Sequence, residues 1–342
     1  MNSNTKSHFP RETIEMIIRE NFGKDIVVDT ITELTEGWFN AVYILSFVGQ
    51  GVRGFKEVVL KTGVQESKYV LSYEKNIMHA EILVYSLLKD TIVPVPKILV
   101  HDFSKSLVGC DYFIMEKLQG EHWMKLEGKI TPKNKEKLIA DIARYTAAIH
   151  NIKGGYFGYI RDDKEFQFPD WCSAFQDMVH LAIRDGRKGG VDLPYNSILE
   201  AFEPLWEILN EVKESCLVNF DMWKKNIMLA EKDGEYYVEG IIDHERAFYG
   251  DPYAEFISLQ NICGGVEHNN VFKENYSLLS GKPFTFTRND KLRFYMYKIY
   301  LALLMGVEVY RYNEEDTKRM LKDCNKKIAN GLAELKEYLE NS

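Results

Sequence analysis

Three polar residues near the middle of the sequence have types and spacing suited to one kind of chemistry: Asp221, Asn226 and Asp243. The run Asp221-Met222-Trp223-Lys224-Lys225-Asn226 follows the apolar pair Leu217-Val218 and precedes a strand-like stretch. Asp243 closes a second such stretch, Gly240-Ile241-Ile242-Asp243. An aspartate can accept the proton of an attacking hydroxyl. An asparagine and a second aspartate offer hard oxygen ligands to Mg²⁺, which favours octahedral oxygen coordination and shares its shell with water and phosphate. Phosphoryl transfer needs little from a protein beyond positioning and charge neutralisation. Taken singly, each residue reads as a turn cap or a loop polar group. The spacing around a hairpin is what points to a phosphoryl-transfer site, with Asp221 as base and Asn226 and Asp243 as metal ligands.

Upstream residues fit the same chemistry. Lys61 ends the apolar run Val58-Val59-Leu60 and is placed to reach nucleotide phosphates; the plainer reading is a surface lysine with a buried stem. Glu81 falls on the apolar stripe of the next helical stretch, where it would fix the Lys61 ammonium, with Glu74 as the second-ranked partner. The loop Thr35-Glu36-Gly37-Trp38-Phe39-Asn40 sits between two strand-like runs. Its amides around Gly37 would cover phosphates, although a plain hairpin turn fits as well.

These residues need elements to hold them. Ile14, Ile17 and Ile18 predict an amphipathic helix starting near Pro10. The runs VVDTITEL, AVYILSF and EVVLKT predict an antiparallel meander. Ile77, Glu81, Val84 and Leu88 give a helix over 73–88. IVPVPKILVHDF and DYFIMEKL give two further strands, with Pro94 and Pro96 suited to a loop or an edge. Beyond Gly120 the pattern turns helical: 135–150, 171–184 and 204–215, and most of the last 85 residues. One hairpin over 226–243 turns at Asp233-Gly234. The order predicts an α+β chain of two lobes with a boundary near 117–121. The 342 residues carry a net charge of −8, most of it in 121–342, which argues against a general nucleic-acid coat or a polybasic membrane binder. No apolar run approaches a membrane span, and the N-terminal residues lack a signal-peptide core. Five scattered cysteines with no CxxC pair predict a reducing, cytoplasmic setting.

On DMWKKN (221–226), IIDHERAFYGDP (241–252), VPVPKIL (93–99), YFIMEKLQG (112–120) and AAIH (147–150), the chain resembles the aminoglycoside phosphotransferase/choline kinase branch of the protein-kinase-like superfamily, over roughly residues 31 to 260. The resemblance implies a two-lobed kinase-like fold. Residues 1–117 would form a small antiparallel-sheet lobe with one key helix, and 118–342 a larger, mostly helical lobe. It implies transfer of the terminal phosphoryl group of ATP, or of GTP, to a hydroxyl of a small acceptor, with Mg²⁺. Asp221 would be the base, Asn226 and Asp243 the metal ligands, and Lys61 with Glu81 the phosphate-binding pair. Met115 would be the gatekeeper, the Glu116 carbonyl and Leu118 amide the adenine contacts, and Asp251 a brace for the catalytic loop. His150 is expected to be a packed core histidine. The family commonly carries His-Gly-Asp or His-x-Asp where this chain has Asn219-Phe220-Asp221, and that departure motivates the alternative of a catalytically silent nucleotide-binding module.

The acceptor is less legible. Glu203, Glu207, Glu211 and Glu214 recur at near-helical spacing and would draw a cationic amino-sugar or amino-alcohol, if they are not simply a solvated helix face. Trp171, Phe175 and Trp206 would stack on a sugar or cage an ammonium, if they are not core. The expected partners are a nucleotide and a small hydroxyl acceptor, with no nucleic acid and no membrane. A monomer is expected, with a homodimer left open.

Overall fold

The computed structural model describes residues 6, 8–35, 37, 39–65 and 70–341. Two compact units make up the chain: one of Met1–Val70, Pro96–Gln119 and Arg311–Thr317, the other of Leu71–Val95, Gly120–Tyr310 and Lys318–Ser342. The units interleave along the sequence, which suggested a single boundary near 117–121.

The first unit is built on a five-stranded antiparallel sheet. Helix α1 (Arg11–Phe22) buries Ile14, Ile17 and Ile18, and the Arg11 guanidinium donates to the Val28 carbonyl at 2.6 Å. Strands β1 (Val28–Leu34), β2 (Ala41–Phe47), β3 (Glu57–Thr62), β4 (Ile98–Asp102) and β5 (Tyr112–Glu116) follow. Their order is β1-β2-β3-β5-β4. Strand β4 is therefore an edge, and Pro94 and Pro96 precede it, where no ladder donor is required. Along β2, Ala41, Tyr43, Leu45 and Phe47 share one face and join Val58, Leu60, Tyr112, Ile114 and the isoleucines of α1 in one core. Val59 and Lys61 alternate to the opposite face of β3, directly across from Met115 and Phe113 of β5.

The second unit begins with α2 (Ile77–Leu88), whose Ala80, Val84 and Leu88 enter that unit's core beside Trp123, Leu138, Ile142, Ile227 and Ile241. The segment 72–74 ahead of it is a 3₁₀ turn, and Asn76, at φ +58°, separates it from the helix. Next come β6 (Glu121–His122), α3 (Trp123–Leu126) and α4 (Pro132–His150), the last capped by the Thr131 side chain. They are followed by β7 (Gly158–Tyr159), α5 (Trp171–Lys188) and α6 (Tyr195–Phe202), then a 3₁₀ run over Glu203–Glu211. Strands β8 (Cys216–Val218), β9 (Ile227–Lys232), β10 (Glu235–Ile241) and β11 (Phe248–Gly250) carry the polar loops. Helices α7 (Phe256–Cys263), α8 (Asn270–Ser280), α9 (Arg288–Val307) and α10 (Glu314–Asn341) complete the chain. Two small sheets run β10-β9-β6 and β7-β11-β8.

Two sequence expectations are corrected here. Helix α5 continues past the expected end at 184 and through Gly186. A side chain at Gly186 would meet the Tyr195 hydroxyl at 2.2 Å, so this glycine serves close packing inside a helix. The helix expected over 204–215 is instead α6 followed by the 3₁₀ run, with Pro204 near the start of that run. Among the described residues, no helix is long and apolar enough to cross a membrane.

Candidate active site

The β9–β10 hairpin turns at Asp233-Gly234, both at positive φ (+53° and +81°), the geometry a tight Asp-Gly hairpin turn demands. At its base Ile227 pairs with Ile241, and the Ile242 amide donates to the Asn226 carbonyl at 2.9 Å. Asn226 and the end of the Ile-Ile-Asp strand are thus fixed to each other through backbone.

Strand β8 leads into the loop that carries Asp221. Phe220 adopts φ +63°, a left-handed conformation costing an L-residue about 1–2 kcal/mol. Burial offsets that cost. Its ring is 2% exposed and packs edge-on against Phe248, with ring centroids 5.2 Å apart, and beside Tyr300. The loop is also held by a buried carboxylate: Glu255 Oε2 accepts the Asn219 amide at 2.6 Å and the Phe220 amide at 3.2 Å. Burial raises the Glu255 pKa to about 7, although these donors pull it down. Asp251 was expected to brace this loop. Its carboxylate instead accepts from Arg293 at 2.9 Å and Tyr297 at 2.7 Å and caps the turn at Tyr253, and Glu255 is the brace.

Asp221 accepts Asn226 Nδ2 at 3.0 Å on Oδ2 and the Trp223 indole N–H on Oδ1. Asn226 therefore spends its side-chain nitrogen on Asp221 and keeps its side-chain Oδ1 for another partner. Burial lifts the Asp221 pKa to about 6. The nearby Arg246 guanidinium opposes the rise, the Asp243 charge adds to it, and the Trp223 hydrogen bond opposes it.

Asp243 also sits at positive φ, +65°. Its amide donates to the Tyr85 hydroxyl at 3.2 Å, and that hydroxyl donates to Glu81 Oε1 at 3.4 Å, a chain that ties α2 to the Asp243 loop. Glu81, Asp243 and Glu245 each offer a carboxylate oxygen, all within 4.8 Å of one another. Three hard anionic oxygens at that spacing fit a divalent cation such as Mg²⁺. One residue further on, Arg246 pairs with Glu308 at 2.8 Å, and Glu308 also accepts from the Tyr73 hydroxyl at 2.6 Å.

The structure brings Asp221 to Asn226, and Asp243 to Glu81. In the other unit Lys61 is 6% exposed, so it is no surface lysine, and it shares a sheet face with Met115. Glu116 ends β5 and Leu118 follows it, both half-buried. Gly37 lies in the β1–β2 connection, while its neighbours Glu36 and Trp38 fall outside the described residues. Glu74, the alternative partner of Lys61, accepts the Leu71 amide at 2.9 Å. His150 is packed against Phe256 and Tyr276, and burial lowers its pKa to about 3, as befits a core histidine. Three of the four glutamates serve local contacts: Glu211 binds Arg293, Glu214 binds Lys153 and Lys282, and Glu203 accepts the Trp206 indole, while Glu207 is exposed. Trp171, Phe175 and Trp206 are core. The sequence reading missed Glu245, Tyr85, Trp223, Glu255 and Arg246. Glu245 alone carried a local signal, two residues beyond Asp243.

Residues 30–285 match the model of the phosphotransferase enzyme family, and the chain belongs to that family. No curated protein sequence matches it. Among solved structures, it is similar to a Ralstonia eutropha protein assigned provisionally to the aminoglycoside phosphotransferases, at 16% identity and TM-score 0.61, over 96% of this chain and 99% of that one. A thermostable mutant of aminoglycoside phosphotransferase APH(4)-Ia, in ternary complex with AMP-PNP and hygromycin B, is similar at 18% identity and TM-score 0.59, over 93% and 99%. The streptomycin–ATP complex of APH(2")-IIa is similar at 16% identity and TM-score 0.57, over 95% and 99%. The fold is the two-lobed protein-kinase-like fold of these enzymes.

Proposed function

We propose that this chain is a Mg²⁺-dependent kinase that moves the terminal phosphoryl group of ATP, or GTP, to a hydroxyl of a small acceptor. The observation that carries the reading is the fixing of Asp221 by Asn226 and Trp223, with the carboxylates of Asp243, Glu245 and Glu81 gathered at the neighbouring loop. Asp221 accepts the acceptor's hydroxyl proton as the new O–P bond forms and the bond to the bridging oxygen breaks; the nucleoside diphosphate leaves and the proton passes to solvent. The side-chain Oδ1 of Asn226 and the Asp243 carboxylate would hold Mg²⁺, with Glu245 a further candidate ligand, and the bound ion would supply charge neutralisation to the phosphates. Lys61 binds phosphates, the amides near Gly37 cover them, and Met115, the Glu116 carbonyl and the Leu118 amide receive the nucleobase. The solved relatives bound to AMP-PNP or ATP together with hygromycin B or streptomycin support a nucleotide donor and a hydroxylated small acceptor. Phe220 gives little support to a silent module, because the loop reaches its left-handed turn with the Asp221–Asn226 contact intact.

The test is purified protein with Mg-ATP or Mg-GTP and a panel of hydroxylated small molecules. Nucleoside diphosphate release that requires an acceptor is expected. Nucleotide binding without turnover across a broad panel would sink the kinase reading in favour of the silent module.

A further inference from the structure

Segment Arg311–Thr317 belongs to the first unit, although the chain before and after it belongs to the second. Its first residue carries a charge into a dry place. Arg311 ends a 3₁₀ turn over Glu308–Arg311, is 2% exposed, and donates from Nε to the Tyr312 hydroxyl at 3.4 Å. Its guanidinium carbon lies over the Phe39 ring, 5.1 Å from the centroid, and 5.5 Å from the centroid of Tyr312. Both rings are buried. Taking a charge out of water is costly, and a guanidinium, planar and weakly hydrated, is the cation best suited to aromatic faces. The place of Phe39 gives that contact a use. Phe39 lies at the exit of the β1–β2 connection that holds Gly37, shortly before β2 begins at Ala41. Ala41 and Val42 then pair with Thr62 and Lys61 of β3. Phe39 thus stands between the amides proposed to cover phosphates and the strand pair that carries the lysine proposed to bind them.

We propose that Arg311 is a positioning residue for nucleotide binding: its guanidinium, seated over Phe39, holds the exit of the β1–β2 loop so that the amides near Gly37 stay in place to cover the phosphates. The inference rests on the kinase reading and adds to it a part supplied from the far end of the chain. A cation–aromatic contact withdrawn from water is worth up to about 30-fold in an equilibrium. Without it the loop spends less time in its covering position, and the apparent nucleotide affinity falls by the fraction lost. A nucleoside has no phosphates for those amides to cover, so its binding should not change. That split separates a positioning role from a general loss of structure.

The experiment measures binding to the full chain by calorimetry, with Mg-AMP-PNP against adenosine and Mg-GMP-PNP against guanosine. Arg311→Met should lower the preference for the triphosphate analogue over its nucleoside by about 2–30-fold. In turnover, KM for the nucleotide should rise while KM for the acceptor holds. Arg311→Lys keeps the charge without the planar group and should restore part of the preference. Phe39→Leu should match Arg311→Met, and Phe39→Tyr, which keeps a ring face, should stay near wild type. The double variant Arg311→Met/Phe39→Leu should be no worse than either single one, because the two residues act as a pair. Should Arg311→Met fail to fold, Phe39→Leu and Arg311→Lys decide the matter. An unchanged preference, an equal loss for nucleoside and triphosphate, or single effects that add in the double variant overturns the inference. Acceptor-dependent turnover by the wild type in that case leaves the kinase reading standing. A wild type that binds no nucleotide sinks the kinase reading instead. Hydrogen exchange of the amides near Gly37, followed without nucleotide, then decides the contact by itself: faster exchange in Arg311→Met and Phe39→Leu supports Arg311 as the anchor of the loop, and unchanged exchange overturns it.

Discussion

Two loops of the second unit meet the same backbone demand in different ways. Each places a residue with a side chain in the left-handed region: Phe220 at +63° just before Asp221, and Asp243 itself at +65°. The first loop is complete in itself. Its amides are taken by Glu255, its ring is buried, and its aspartate already holds Asn226 and Trp223. The second loop brings Asp243 and Glu245 within 4.8 Å of Glu81 of α2, and the Asp243 amide donates to the Tyr85 hydroxyl at 3.2 Å. The difference teaches that Asp221 is held by hydrogen bonds from its own neighbourhood, while Asp243 stands where carboxylates from two elements converge.

The largest effect that would break this contrast is on the metal loop. Asp243→Ala should reduce turnover to background and weaken Mg-nucleotide binding together. Activity or affinity close to wild type in a titration would remove Asp243 from the metal site.

Asp221→Asn should leave nucleotide affinity nearly intact while turnover falls about 10²–10⁴-fold, the range for a lost general base. In the wild type, kcat/KM should rise with pH through about 6, because the base must be ionised. Stability should run the other way. The folded pKa lies above the ordinary 3.8, so ionisation penalises the fold progressively between about pH 4 and 6, and the penalty is complete above that. Asp221→Asn should therefore melt higher than wild type at pH 7–8, with the gain vanishing near pH 4. A variant that melts lower at pH 8 would contradict a buried, reluctantly charged Asp221.

Phe220→Gly tests the self-contained loop. Relief of the left-handed backbone returns about 1–2 kcal/mol, but removing a buried phenyl ring costs about 3–5 kcal/mol, so the net change should be a loss of roughly 1–4 kcal/mol. Turnover below the melting temperature should fall less than in Asp221→Asn. A gain in stability would mean that the ring strains the loop and does not anchor it.

The smallest effect is on the wild type itself. Mg²⁺ at about a hundred times its dissociation constant should stabilise by about 2.7 kcal/mol, seen as a rise of a few degrees in melting temperature that chelation reverses. Asp243→Ala should lose most of that rise and Phe220→Gly should keep it. Equal responses would erase the distinction between the loops.

Local patterning made the strands of the first unit legible, because β2 buries alternate residues and the helical stripe of α1 repeats at 3.6. Asp221, Asn226 and Asp243 were legible through the hairpin that spaces them. What escaped is decided by distant parts of the chain. Glu255 reaches Asn219 from thirty-six residues away, and Glu308 reaches Arg246 from sixty-two. Gly186 reads as a helix breaker until Tyr195 is seen to need its missing side chain. The resemblance implied that Asp251 braces the loop, yet Arg293 and Tyr297 claim it.

The hairpin between Asn226 and Asp243 has one further consequence. Its feet, Ile227 and Ile241, are fully buried, and an irregularity between Val238 and Gly240 sets the register that aligns them. Its tip, from Lys232 to Glu235, is exposed. The separation of the two chemical residues is therefore fixed at one end of the ribbon, and its length at the other end is free. Loop-closure cost grows only slowly with added residues. The Asp233-Gly234 tip is thus a natural splice point: a peptide epitope, a fluorophore site or a tether to a surface can be grafted there without changing the separation of Asn226 and Asp243.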